Sequence, residues 1–273
     1  MTKNTSLKEA TVKWLSTQGF LLEMKVAKKF YDNNFEVISS SIYEDPINKI
    51  SREIDVIVSK GTLFDKHIRL NITFVIECKY SRDKPWVLFK ASEQNLFGKN
   101  YNIVFRNCSD HAKLLLLELD SFNKELNNNY LFSFNEDLYY GIKRAHIETD
   151  HMINGAVTEV CNAVRARELK IDRFNTSLIT NLEVLFPIIV VQGSLFETYL
   201  DDKLGLVLNE INHGHLFVSK PELGNERMYI DIISFDHLDY YIEKISQAVQ
   251  EVLNYSDKLK STKEFIKNKR SRK

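Results

Sequence analysis

The sequence has few of the features that mark secreted, membrane-bound or nucleotide-binding proteins. Its three cysteines, Cys78, Cys108 and Cys161, form no Cys-x-x-Cys pair, so neither a disulfide framework nor a zinc knuckle is expected. No apolar run reaches the roughly 20 residues that a membrane helix needs, and the first residues lack the apolar segment of a signal peptide. Phosphate-binding loops of the GxGxxG or Walker A type are also absent. These absences predict a cytoplasmic protein without a membrane partner.

The chain also lacks an excess of either charge. Its 37 basic and 37 acidic residues give a formal net charge of zero at pH 7, so a polyanion would have to bind at a local patch. With 44% hydrophobic residues among 273, the composition is that of a globular protein with a sizeable core.

Hydrophobic periodicity predicts a mixed α/β protein. Helical patterns are found at residues 7–18, 20–33, 85–97, 110–119, 136–168 and 237–259, and strand patterns at 35–43, 52–60, 68–80, 184–193, 203–212, 215–222 and 227–235. An Asn-rich loop at 123–137 is the best candidate for a boundary or a flap. We therefore expect a core at 1–120, an α/β extension packed on it at 121–257 and a basic tail at 258–273. The tail is either a solvated end, the simpler interpretation, or an arm that contacts phosphate.

Charged residues stand at the end of one predicted strand, in the stretch "VIECKY". Because side chains alternate along a strand, Glu77 and Lys79 point the same way, about 7 Å apart. In the preceding strand Ile54 and Val56 should pack on one side and Asp55 on the other. Pairing the two strands as a hairpin would bring Asp55 to about 5 Å from Glu77. Two carboxylates and an ammonium should then converge on one point.

Such a group suits metal-assisted hydrolysis of a phosphodiester. Carboxylate oxygens are the ligands that Mg²⁺ prefers, and the ion leaves positions for water and phosphate. A lysine beside the ion can orient or help deprotonate the attacking water and can offset charge on the phosphate, so Lys79 is expected to act as a water-orienting base or an electrostatic stabiliser. The simpler alternative is a surface ion pair across a hairpin, with no chemistry attached to it.

The arrangement around Asp55, Glu77 and Lys79 resembles the PD-(D/E)XK nuclease superfamily, closest to its Mrr-like members, over about residues 20–100. Asp55 matches the first acidic position and Glu77 with Lys79 the "(D/E)XK" half, while Ile54 stands where the motif has Pro. The resemblance implies that Glu23, on the preceding helix, is a further metal ligand. It also implies a restriction-endonuclease-like core, made of a helix, a β-meander, a helix and a central mixed sheet, with a C-terminal α/β extension.

The function implied by this resemblance is Mg²⁺-dependent endonuclease activity, with Mn²⁺ able to substitute. The expected substrate is nucleic acid, with DNA favoured, and the expected setting is restriction, defence or repair. A homodimer or a partner protein of a defence system would fit the same resemblance. The alternative is a catalytically silent protein that keeps the nuclease fold for nucleic-acid binding or assembly.

Basic residues follow the motif and favour a path for phosphates. Arg82, Lys84 and Lys90 alternate with aromatic residues, among them Trp86 and Phe89, as in channels that bind nucleic acid. The alternative is that Trp86 and Phe89 are core residues of the predicted helix. On the same segment, the resemblance implies that Gln94 is a candidate auxiliary polar residue.

Two further signals favour a structural interpretation. His213 and His215 in "NHGH" have no third ligand nearby in the sequence and are expected in a turn. Ser194 follows a buried strand without the GxSxG pattern of a nucleophile elbow, so we expect it to cap a helix.

Overall fold

The computed structural model describes residues 6–16, 18–65, 68–81, 83–90, 107–113, 129–132, 138–174, 180–223 and 226–254. They form an α/β protein with one ten-stranded mixed sheet. The helices are α1 (Leu7–Leu15), α2 (Gly19–Asp32), α3 (His151–Phe174) and α4 (Leu238–Asn254), together with a helical turn at 110–113. The strands are β1 (Glu36–Glu44), β2 (Ser51–Asp65), β3 (Ile68–Tyr80), β4 (Trp86–Lys90), β5 (Leu138–Arg144), β6 (Thr180–Gln192), β7 (Leu195–Leu200), β8 (Leu206–Ile211), β9 (His213–Lys220) and β10 (Glu226–Ser234). None of these helices is both long and apolar enough to cross a membrane.

The strand order across the sheet is β1-β2-β3-β6-β10-β9-β5-β4-β7-β8. Strands β1, β2 and β3 form an antiparallel meander, and β3 then pairs with β6 in parallel along its whole length. Strand β10 extends this parallel region on the other side of β6. The carboxyl end of β3 therefore lies beside the carboxyl end of β6.

Both faces of β3 are buried, each in its own apolar cluster. The first cluster packs α2 and α4 on one face and includes Phe30, Phe74 and Ile245. The second cluster packs α3 on the other face and includes Val75 and Val160. Helix α3 therefore covers the face of β3 that carries Glu77. Charged groups on this face lose hydration, so leaving them without a partner costs free energy.

Two strand pairs turn a corner together. Strand β3 continues into β4 and β6 into β7, and β4 again pairs with β7 in parallel. At the corner the Ser81 N–H donates to the Gln192 carbonyl at 3.0 Å, and the Trp86 N–H donates to the Ser194 carbonyl at 2.9 Å. A Cβ at Gly193 would lie 2.2 Å from the Ser81 carbonyl oxygen, so the close approach of these two backbone segments requires glycine.

Most of the predicted elements are present, including the three meander strands, α1, α2 and the terminal helix. The helix predicted at 85–97 is wrong at 86–90, where β4 buries Trp86 and Leu88 at strand spacing. The helix predicted at 136–168 is wrong at 138–144, which is strand β5, and begins only at His151. Ser194 precedes strand β7, so the predicted helix cap there is also wrong. The tail at 258–273 and most of the loop at 123–137 lie outside the described residues.

Candidate functional site

Asp55 lies at the point where β2 separates from β3. The ladder between these strands is regular from Val56, opposite Ile76, to Leu63, opposite Arg69. Val56 packs in the first cluster but Ile54 packs in the second, so the predicted common face of Ile54 and Val56 is wrong. The break in alternation turns Asp55 toward β3, where its Oδ2 accepts a hydrogen bond from the Cys78 N–H at 2.7 Å.

Glu77 and Lys79 point to the same side of β3, as the alternation predicts. The Lys79 ammonium donates to Glu77 Oε1 at 2.5 Å. Glu77 is only 3% exposed. Its second oxygen, Oε2, is buried and has no hydrogen-bond partner among the described residues. Within the described part of the chain, one oxygen of this buried carboxylate therefore remains available to a ligand.

Glu159 is a fourth member of this group that the sequence analysis missed. It lies on α3, and its Oε2 accepts from the Lys79 ammonium at 3.3 Å. The Tyr43 hydroxyl donates to the Glu159 carbonyl at 3.2 Å, which ties α3 to β1 at the same place. A signal was present, because Glu159 is the only charged residue in the helical stretch 152–164. Its proximity to Lys79 nevertheless depends on how α3 packs across β3.

Glu23 reaches the same group from α2, beside the buried residue Leu22. Burial raises its pKa to about 7, and the charges of Asp55 and Glu53 add to this effect, while Lys79 opposes it. The structure thus brings Asp55, Glu77 and Lys79 together, and the charges of Asp55 and Lys79 act on Glu23. We call these four with Glu159 the acid cluster.

The acid cluster has too little positive charge for its carboxylates. Burial raises the pKa of Glu77 to about 8, with a further contribution from Asp55, and the bond to Lys79 offsets only part of the rise. The pKa of Asp55 is raised as well, again mainly by burial, although the Cys78 N–H and Lys79 oppose it. The pKa of Lys79 rises despite its burial, because Glu77, Glu159 and Asp55 favour its charged form. One cation among four carboxylates leaves a site that favours binding of protons or of a metal ion.

Two of the basic residues predicted to line a phosphate path, Lys84 and Lys90, are within the described part of the chain. Lys90 is on β4, where its ammonium sits 5.1 Å from the centre of the Tyr199 ring. Lys84 lies in the turn before β4, and its carbonyl accepts from the Ser81 hydroxyl at 2.7 Å. Trp86 is fully buried in the second cluster, which supports the core interpretation, although on a strand instead of a helix. Arg82 and Gln94 lie outside the described residues.

A groove beside the acid cluster carries a different set of cations. It runs between the edge strand β1 and the carboxyl-terminal half of α3, over Ile54 and Ala163. Its basic lining residues are Lys49, Arg167, Lys170 and Arg173. Tyr43 also lines the groove and is bonded to Glu159, so one end of the groove meets the acid cluster. We call this feature the β1–α3 groove.

Comparison of the chain with protein-family models, with curated proteins and with solved structures finds no match in any of the three.

A second titratable group lies where the sequence analysis expected a turn without metal ligands. His213 and His215 are on strand β9, and with Asp231 on the adjacent strand β10 they form a group of three residues that could hold a metal ion. The expected turn is thus wrong, because antiparallel pairing places Asp231 directly opposite His215.

Proposed function

We propose that this chain is a metal-dependent nuclease of the PD-(D/E)XK type, in which Asp55, Glu77 and Lys79 carry the chemistry. The single observation that supports this most is the buried Glu77 carboxylate, which shares Lys79 with Glu159 and keeps one oxygen without a described partner. A purely structural ion pair would satisfy both oxygens of a carboxylate that is 3% exposed.

The finer fold assignment belongs to the same proposal. Helix α2, the antiparallel meander β1–β3, helix α3 and the parallel strand β6 fit a restriction-endonuclease-like core, with β4 and β5 inserted between β3 and α3. On this view α2 and β1–β3 form the catalytic half, α3 covers the face of β3 that carries Glu77, and β6 pairs with β3.

The donor set fits a hard divalent cation. Asp55 and Glu77 offer carboxylate oxygens at adjoining strand ends, and Glu23 offers a third from α2, which suits Mg²⁺ or Mn²⁺. Asp55 keeps Oδ1 for a ligand while Oδ2 accepts from Cys78, and Glu77 keeps Oε2. When bound there, the ion would activate a water molecule and offset charge on the phosphate.

Lys79 fits an electrostatic role better than that of a general base. Its ammonium contacts Glu77 and Glu159, and both contacts stabilise the protonated form. A protonated lysine donates hydrogen bonds and cannot take a proton from water. Lys79 would therefore orient the water and stabilise negative charge on the phosphate, while Glu159 would position Lys79.

The β1–α3 groove is the proposed path for the nucleic-acid backbone. Lys49, Lys170 and Arg173 are exposed along it, while Arg167 is already bonded to Glu183 at 2.6 Å. Three exposed cations in a groove that ends at the acid cluster would hold phosphates in line with it. DNA is the proposed substrate class, and this choice follows from the resemblance to Mrr-like members.

The test uses plasmid cleavage together with calorimetric Mg²⁺ binding. It needs a preparation in which the wild-type chain, with any activating partner added, cleaves DNA and EDTA stops it. Asp55→Asn and Glu77→Gln should each lose cleavage by about a hundredfold or more and should also lose Mg²⁺ affinity. Lys79→Ala should lose cleavage to a similar extent but largely keep Mg²⁺ affinity.

Glu197→Gln is the matched control, because Glu197 is also a buried, hydrogen-bonded glutamate of the sheet but lies on β7, bonded to Tyr139 and Asn209. It should cleave like wild type. Full cleavage by Asp55→Asn or Glu77→Gln would place the chemistry elsewhere. Mg²⁺ and DNA binding without cleavage under every condition would favour the silent binding protein instead.

A further inference from the structure

Strand β9 carries two histidines on one face, with an aspartate opposite them. His213 and His215 are two residues apart, so both side chains point the same way. The register of β9 and β10 pairs His215 with Asp231, and the two imidazole rings lie edge to face with centres 4.6 Å apart. The three side chains therefore form one compact group, which does not depend on the proposed nuclease activity.

The distances within this group are close to those of a metal centre. The His215 Nδ1 lies 2.6 Å from Asp231 Oδ1, and the His213 Nε2 lies 3.8 Å from the same oxygen. One ligand atom from each of the three residues lies within 4.8 Å of the other two. Ligand atoms around a tetrahedral zinc ion are about 3.4 Å apart, as follows from bonds of about 2.0–2.2 Å. Small side-chain rotations would suffice to close the site.

The surroundings of Asp231 fit a carboxylate held ready for such a role. The Tyr241 hydroxyl, from α4, donates to Asp231 Oδ2, which fixes the carboxylate and leaves Oδ1 facing the histidines. An orienting hydrogen bond of this kind is typical of the groups that surround metal ligands. The ring of Tyr241 also packs against His213, with centres 5.4 Å apart.

A small cavity adjoins the group and gives it an open side. His215, Asp231 and Tyr241 line the cavity together with Tyr130 and Tyr229. Its volume is about 20 Å³. That is enough for one water molecule, which needs about 10–15 Å³. Three protein ligands and one water molecule complete the four positions of a zinc ion.

We propose that His213, His215 and Asp231 bind one zinc ion, with a water molecule as the fourth ligand on the cavity side. Two imidazoles and one carboxylate suit Zn²⁺, whereas the all-oxygen acid cluster suits Mg²⁺. The two sites are on opposite faces of the sheet, because Asp231 contacts α4 and Glu77 lies under α3. Strand β10 is two strands from β3, or about 10 Å at the usual strand spacing.

The test is calorimetric titration of the full chain with ZnCl₂ after treatment with EDTA and its removal. We expect one tight Zn²⁺ per chain and a Co²⁺ derivative with the visible bands of tetrahedral coordination. His215→Asn and Asp231→Asn should abolish the tight binding and the bands. Zn²⁺ should also raise the Tm of the wild type but not of these variants, since binding only to the folded state stabilises it.

Three further variants locate the site. Tyr241→Phe removes only the orienting hydroxyl and should weaken Zn²⁺ binding about tenfold or more. His237→Asn and Glu77→Gln should leave Zn²⁺ binding unchanged, since His237 stacks on Tyr240 beyond the group and Glu77 belongs to the acid cluster. Absence of stoichiometric Zn²⁺ binding by the wild type, or wild-type affinity in both His215→Asn and Tyr241→Phe, would overturn the proposal.

Discussion

Glu77 is a buried acid whose surroundings favour its neutral form when no metal ion is bound. It is nearly inaccessible to water, it is close to Asp55, and its one cationic partner also serves Glu159. Charge repulsion and lost hydration therefore destabilise the Glu77 anion more than its 2.5 Å hydrogen bond from Lys79 stabilises it. On the proposed function, the same features would favour binding of a divalent cation, which offsets the charge of the anion.

This balance predicts how stability depends on pH in EDTA. Folded Glu77 keeps its proton up to a pKa of about 8, whereas the unfolded chain releases it near 4.5. Its contribution to stability is complete below pH 4.5 and is lost as pH rises through 8. Glu77→Gln mimics the protonated form, so it should match wild type at pH 5 and exceed it at pH 8.5 by on the order of 2 kcal/mol.

Urea unfolding of both proteins across this pH range measures the difference. Glu197→Gln is the control of opposite sign, because hydrogen bonds from Asn209 and Tyr139 outweigh burial and lower the pKa of Glu197. It should lose stability relative to wild type once pH is above the ordinary glutamate range. Parallel pH profiles for wild type and Glu77→Gln would contradict the prediction, and added Mg²⁺ should stabilise only the wild type at pH 8.5.

The element that connects the two halves of the sheet is the corner at Gly193. Strands β3 and β6 lie side by side up to Tyr80 and Gln192, and beyond the corner β4 and β7 pair in the same sense. The acid cluster is near this corner, because Lys79 is two residues before Ser81. The tight contact between Gly193 and the backbone of Ser81 therefore helps to fix the end of β3.

Gly193→Ala should destabilise the protein. Its Cβ would lie 2.2 Å from the Ser81 carbonyl oxygen, which is backbone and cannot rotate away. We expect a loss of about 1–3 kcal/mol, the usual cost of overpacking. Gly155→Ala is the matched control, because its Cβ meets only Glu159 Oε1 at 4.0 Å. Within helix α3 that change should stabilise by about 0.5–1 kcal/mol. Equal Tm values for the two variants would show that the corner tolerates a side chain.

At the scale of the whole molecule, the charge distribution matters more than the total charge. The chain is formally neutral, yet Lys49, Lys170 and Arg173 are exposed along the β1–α3 groove. A neutral protein of this kind binds a polyanion only where its cations are concentrated. The groove meets the acid cluster at Tyr43, whose hydroxyl donates to the Glu159 carbonyl.

The groove prediction is tested by the salt dependence of DNA binding in the presence of Mg²⁺. The double variant Lys170→Gln, Arg173→Gln should bind more weakly and reduce the slope of log K against log salt by about two. Lys13→Gln, Lys203→Gln is the control with the same change of charge, at exposed positions on α1 and beside β7. A slope that falls equally in both pairs would mean that the groove is not the phosphate path.

The sequence by itself determined the elements whose signals are local. The alternation along β2 and β3 predicted the hairpin, and the position of Lys79 two residues after Glu77 predicted their common side. The sequence did not predict the break in alternation at Asp55, which arises where β2 leaves β3. The sequence also predicted helices at 86–90 and 138–144, where the structure has strands β4 and β5. Short strands of mixed polarity depend on their partners in the sheet, which periodicity does not report.

Only the tertiary structure decided which distant residues meet. Glu159 joins Lys79 because α3 packs across the face of β3, and the same packing forms the β1–α3 groove with its exposed cations. Asp231 meets His215 because β9 and β10 pair in one particular register. Each of these contacts joins residues far apart in sequence, and helix packing and strand pairing set such distances, whereas periodicity reports only which side of an element a residue occupies.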